Sequence, residues 1–262
     1  MLRTGTTIPA ALVCAMLVFD GVSMAAPPPP SKDFRIENKV FSRGQKAPLN
    51  ESTTIFHNGV VYDYLEDPEE VIVFEKAAGR FVLLDMSRRV RAEVTTREVE
   101  GLTKRLQELA ERQADPFYKF LAAPKFTERY NGSTGELTLS SPWMTYRMIL
   151  SEIQSPPISQ QYREFCDWYA RLNTLLNPGS KPPTARLAVN EALARHNATP
   201  REVFLTMTPK KTFPPHSTKL RSEHHLVDQV AQADLIRVQQ TRQFMGIFQV
   251  VSFEQYRGQD GP

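Results

Sequence analysis

The sequence predicts an α+β protein, a curved antiparallel β-meander covered on one face by amphipathic helices. Three observations predict it. Residues 52–95 hold four or five short β-type runs separated by turn signals, at the spacing of strands joined by hairpins. Asn58-Gly59 stands between two of these runs, and both residues accept the positive φ that a two-residue hairpin requires. Further on, apolar residues recur at three and four from Val99 to Leu109 and from Ile158 to Leu176, the period of a helix with one buried side. Strands paired through tight hairpins are antiparallel, so runs of strands followed by runs of helices give α+β rather than α/β.

The amino-terminal residues stand apart from that fold. Arg3 precedes an unbroken apolar run, Ala10–Phe19, and Ser23-Met24-Ala25 places small residues three and one before a cleavage point. This is the layout of a secretory signal peptide, and the run is too short for a membrane span. The expected organisation is a signal peptide over 1–25, a Pro-rich segment over 26–32 and a single α+β domain over 33–262. The expected location is the periplasm or the exterior. Val13 before Cys14 is a poor lipoprotein signal. After cleavage Cys166 is the sole cysteine, so no disulfide forms within the chain, and its aromatic helix suggests a buried thiol. The remaining length is ample to bury a core without such a staple.

Each element follows from local pattern. Asp33–Phe41 alternates Phe34 and Ile36 with Arg35 and Glu37, a half-buried strand. The meander then reads Thr53–Phe56, Val60–Leu65, Val71–Phe74, Arg80–Leu84 and Arg89–Val94, with Asp67-Pro68 and Ala77-Ala78-Gly79 as breaks. Thr95-Thr96-Arg97-Glu98 fits a capping box and opens a helix. Asp115-Pro116 restarts the chain as a cap and a first-turn proline. Phe126–Tyr130 and Glu136–Ser140 flank another turn, and Trp143–Leu150 alternates as a strand. The longest helix spans Ile158–Leu176 and stops at Asn177-Pro178-Gly179. A shorter helix fits Thr184–His196, strands fit Glu202–Thr208 and Lys219–Val227, and Asp234 is expected to cap a last helix whose inner side holds Leu235, Val238, Met245 and Phe248. The sheet residues Val61, Val73, Phe81 and Leu83 are expected either as core or as the wall of an apolar groove.

Composition excludes some functions. Net charge is +3, from 32 basic and 29 acidic residues of interspersed sign, so the clustered cations of a nucleic-acid footprint are lacking. No apolar run after residue 26 reaches membrane-spanning length. The histidines His57, His196, His216 and the neighbours His224-His225 show no metal-ligand spacing, and no zinc or thiol motif appears. No GxSxG and no phosphate-cradling glycine loop is present. Cys166 has Phe165, Asp167 and Trp168 as neighbours, none an activating base. Glu69-Glu70, and Asp63 with Glu66 and Asp67, read as solvated acids at hairpin ends. Asn50, Asn131 and Asn197 open Asn-X-Ser/Thr triplets. No catalytic residue, metal ligand or cofactor is expected, and no ligand-binding residue is singled out.

The segments TTIFHNGVVYDYL and VIVFEKAAGRFVLL, each a hairpin with an aromatic-bearing strand, resemble LolA-type periplasmic lipoprotein carriers over residues 33–95. That resemblance implies a half-open antiparallel sheet lidded by helices and an apolar ligand such as a lipid or acyl chain. The leading expectation is an exported, non-enzymatic binding or carrier protein. Two alternatives remain: a structural or protein-interaction component of the cell envelope without a cavity, and a hydrolase whose carboxylates converge only in three dimensions.

Overall fold

Asn58 and Gly59 both take positive φ, 51° and 74°, and turn the chain between two strands in the sense that matches strand twist. The computed structural model describes residues 32–42, 44–151, 155–177, 179–208 and 217–258. The expected signal peptide, the prolines that follow it and the loop holding His216 lie outside them. The chain forms β1 (Phe34–Ser42), β2 (Asn50–His57), β3 (Val60–Leu65), β4 (Glu70–Glu75), β5 (Arg80–Asp85) and β6 (Val90–Thr95). Then come α1 (Thr96–Glu111), α2 (Pro116–Ala122), β7 (Thr127–Asn131), β8 (Glu136–Ser140) and β9 (Met144–Leu150). The long α3 (Pro156–Leu176) and α4 (Thr184–Arg195) follow, then β10 (Pro200–Met207), β11 (Thr218–Val227), α5 (Gln232–Ile247), β12 (Gln249–Val250) and α6 (Phe253–Tyr256).

All twelve strands join one open sheet in the order β12-β6-β5-β4-β3-β2-β1-β11-β10-β9-β8-β7. Every pairing is antiparallel except the short β12 beside β6. The fold is therefore α+β. In the middle of the sheet β1 lies between β2 and β11, and Asn38 faces Ser52 on one side and His224 on the other. Residues nearly two hundred positions apart in sequence thus share one row.

The helix starts follow their local chemistry. The Thr95 hydroxyl accepts from the Glu98 N–H at 3.2 Å, and the Glu98 carboxylate accepts from the Thr95 N–H at 2.7 Å, so the capping box forms. The Asp115 carboxylate accepts from the Phe117 N–H at 2.8 Å and caps α2. Asp234 differs from expectation. It lies inside the first turn of α5 and accepts from the Ala231 N–H at 2.9 Å, because Ala231 holds the cap position.

Side-chain alternation builds two cores on the two faces of the meander. Val61, Ile72, Phe74, Phe81 and Leu83 pack against Ile158, Phe165 and Leu172 of α3. On the opposite face Tyr62, Tyr64, Val71, Val82 and Leu84 pack against Val238 of α5 and Phe248 just past its end. Val73 belongs to this second face rather than with Val61, Phe81 and Leu83, because register pairs it with Tyr62 and Val82. Helices therefore cover both faces of β3–β5, α5 being an addition to the cover expected from the sequence. A third core lies under α2 and α4, where β9 alternates strictly and buries Met144, Tyr146, Met148 and Leu150 on one face. Each fully buried large apolar side chain contributes about 1.5–3 kcal/mol. Among the described residues no helix is long and apolar enough to cross a membrane.

Candidate functional site: a polar-floored cleft beneath the long helix

The face of the sheet under α3 changes chemistry along its strands. On β2, Phe56 is followed two residues back by Thr54 and then Ser52; on β3, Val61 is followed by Asp63. Residues two apart on a strand share a face, so the aromatic row gives way to short polar side chains. Tyr169 of α3 reaches down to Asp63, but the other short side chains leave a gap, and a cleft of about 350 Å³ opens between sheet and helix. Ile36, Val40, Phe56 and Phe165 form its apolar walls, and Tyr162, Cys166 and Tyr169 look down from α3.

The floor is a hydrogen-bonded row across four adjacent strands. The Ser222 hydroxyl meets His224 Nε2 at 2.9 Å, and His224 Nδ1 meets Asn38 Oδ1 at 2.8 Å. Asn38 Nδ2 donates to the Thr54 hydroxyl at 3.0 Å and to Ser52 at 3.2 Å, and Thr54 donates to Asp63 Oδ1 at 2.7 Å. One assignment satisfies the whole row. Asn38 spends its amide hydrogens on β2, so its oxygen accepts from Nδ1–H, and Nε2 is left to accept from Ser222. Every hydrogen bond from Ser222 to Asp63 then points the same way, and each strengthens the next.

Burial sets the charges. Asp63 is 4% exposed, and burial pushes its carboxyl above the usual range, partly offset by hydrogen bonds from Thr54, Ser52 and Tyr169. His224 is pushed down to about 3 by burial and by the Arg186 charge, so its imidazole is neutral at ordinary pH. Burial raises the Cys166 thiol despite Arg186 nearby, and raises Tyr162 and Tyr169 well above the ordinary phenol range.

Arg186, from the first turn of α4, supplies the cation of the cleft. Its guanidinium is always charged. The Tyr162 hydroxyl and Cys166 thiol stand within its hydrogen-bonding reach, and Tyr162, Cys166 and Tyr146 are the groups that act on it most. Among the described residues no carboxylate forms an ion pair with it, whereas Arg35, Arg80, Arg88, Arg91 and Arg147 each hold one.

Past Tyr169 and Asn173 the cleft meets a second cavity of about 660 Å³, lined in part by Leu65, Ile72 and Leu176. Val40, Asn50, Tyr169 and Asn173 line both. The two cavities adjoin at these residues beneath α3.

Ser222, His224 and Asn38 stand in the order nucleophile, base and orienting group. Burial and the Arg186 charge push this imidazole down to about 3, whereas a general base works best near the operating pH.

The other residues weighed from sequence scatter. His57 meets Asp33 at 2.6 Å beside the first hairpin, and His196 meets Glu128 at 3.0 Å on the far edge of the sheet. His225 is exposed on the face opposite His224. Glu66, Asp67 and Glu69 are exposed turn residues, but Asp63 is not. It stands mid-strand in the core, because β3 continues past it to Leu65. Cys166 is half-buried and faces the cleft. Neither the polar row nor Arg186 was marked by sequence reasoning. The available signal was Asn38, Thr54 and Asp63, each polar at a core-facing position of an alternating strand. No family model matches the chain, and no curated protein matches it.

Proposed function

We propose that this chain is an exported, non-enzymatic binding protein that holds a partly apolar ligand, such as a lipid or acyl chain, between the sheet and α3. One observation carries the reading: beneath a helix that elsewhere packs tightly on phenylalanines, the interface opens into a cleft of about 350 Å³, within the size range of small-molecule sites. Its walls are aliphatic and aromatic, and its floor satisfies its own hydrogen bonds, so a ligand's apolar body meets no unpaired group below it. Export rests on the amino-terminal pattern of Arg3, Ala10–Phe19 and Ser23-Met24-Ala25.

Native mass spectrometry of the gently purified protein tests this. The expected spectrum contains a protein–ligand species that collapses to the bare chain on activation or organic extraction. A bare chain only, together with no uptake of added long-chain amphiphiles, contradicts the reading.

A further inference from the structure

We infer that the ligand is an amphiphilic monocarboxylic acid, with its carboxylate on Arg186 and its apolar chain running under α3 past Tyr169. The inference rests on the carrier reading and adds the head group. Arg186 is a cation facing a cleft without a carboxylate partner. A guanidinium out of bulk water is costly unless paired, and it matches a carboxylate through two parallel hydrogen bonds. Its place on α4 sharpens this. A cation in the first turn opposes the positive end of the helix dipole, so the helix gains nothing from it. Pro183 at the cap makes no side-chain hydrogen bond, which leaves that positive end unneutralised. An anion near Arg186 answers both.

Charge counting selects a single negative charge. Arg186 is the cation lining this cleft, and the acid Asp63 lines it too, its hydrogen-bonding capacity taken up by Thr54, Ser52 and Tyr169. A second negative group placed there meets a carboxylate instead of a donor. The neutral His224, with its ring nitrogens engaged by Ser222 and Asn38, adds no competing cation. From the head the apolar path is marked by Phe165, Ile36 and Val40, then by Leu65, Ile72 and Leu176 in the adjoining cavity, which Glu70, Arg88 and Arg257 also line. Tyr162 to Leu176 spans about 20 Å of helix at 1.5 Å per residue, the length of a medium to long alkyl chain.

Isothermal titration of the purified protein with dodecanoic acid and with dodecan-1-ol, in wild type, Arg186→Met and Arg186→Lys, tests the head group. The expected result is that wild type binds the acid at least tenfold more tightly than the alcohol. Arg186→Met weakens the acid at least tenfold and removes the preference, and Arg186→Lys keeps part of it. Equal affinity for acid and alcohol in wild type overturns the carboxylate assignment while the carrier reading stands. Binding of neither compound overturns both. If Arg186→Met fails to fold, the wild-type acid-to-alcohol ratio and the lysine variant still decide.

Discussion

Two ends of one helix–sheet interface differ in a way that explains the cleft. At one end the sheet presents phenylalanine. Phe34 stacks on Phe56 at 4.1 Å, Phe74 stacks on Phe81 at 4.6 Å, and Phe165 of α3 meets Phe56 edge-on at 5.7 Å. At the other end the same face of β1, β2 and β3 presents Asn38, Thr54 and Asp63. The backbone is continuous, and β1, β2 and α3 run through both ends. What changes is side-chain length and polarity, and the space between sheet and helix follows. Long rings fill it, whereas short polar groups bond to one another across the strands and leave it open. The aromatic end holds α3 in place, and the polar end gains room at the cost of burying an acid.

That contrast can be broken from either side. The largest effect is expected at the aromatic end. Phe81→Ala empties a fully buried site and is expected to lower stability by about 3–5 kcal/mol, read by urea unfolding, while ligand affinity measured at low temperature is retained. A loss under about 1 kcal/mol denies that the aromatic end anchors the helix. Thr54→Val is next. It keeps the shape but removes the donor to Asp63 and the acceptor for Asn38, and leaving such buried groups unpaired costs about 1–3 kcal/mol. An unchanged unfolding midpoint indicates that the row is ornamental.

The third effect is confined to acid. His224 titrates at about 3 in the folded protein against an ordinary 6.5, so between those values the unfolded chain binds the extra proton. Stability from this group is complete above about pH 6.5 and is lost as pH falls towards about 3. Asp63 acts in the opposite sense, since its raised pKa makes folding less favourable as pH rises through it. His224→Gln is expected to flatten the loss of stability between about pH 6 and pH 4, with little change at about pH 7.5. Parallel wild-type and variant curves contradict the buried, neutral imidazole.

Much of the fold is legible in the sequence because the signals are local. The Asn58-Gly59 turn, the Thr95–Glu98 capping box and the four-three repeat of α3 each act within a few residues. The two-residue β12 carries no periodicity and takes its place only by pairing with Val90 and Arg91 of β6. The polar row is harder for the same reason. Asn38, Thr54, Asp63 and His224 look ordinary one at a time; the first three meet across the consecutive strands β1, β2 and β3, but His224 joins them only because β11 lies beside β1. Asp63 carries a partial signal, since Val61 and Asp63 share one face of a strand whose other face holds Tyr62 and Tyr64. Its closeness to Glu66 and Asp67 hides that signal by making it look like part of a turn. Arg186 gives no sign in sequence, because a single arginine in a helix is ordinarily solvated.

Chemical-shift mapping tests the central claim most directly. The methyl groups of Ile36, Val40 and Ala170, which line the cleft, are followed during titration with dodecanoic acid. Leu139, Val189 and Leu193 of the separate α4 core serve as controls. The account predicts saturable shifts at the cleft methyls and none at the controls. Shifts centred on the α4 core or on the α5 face, with the cleft methyls unmoved at full occupancy, contradict it.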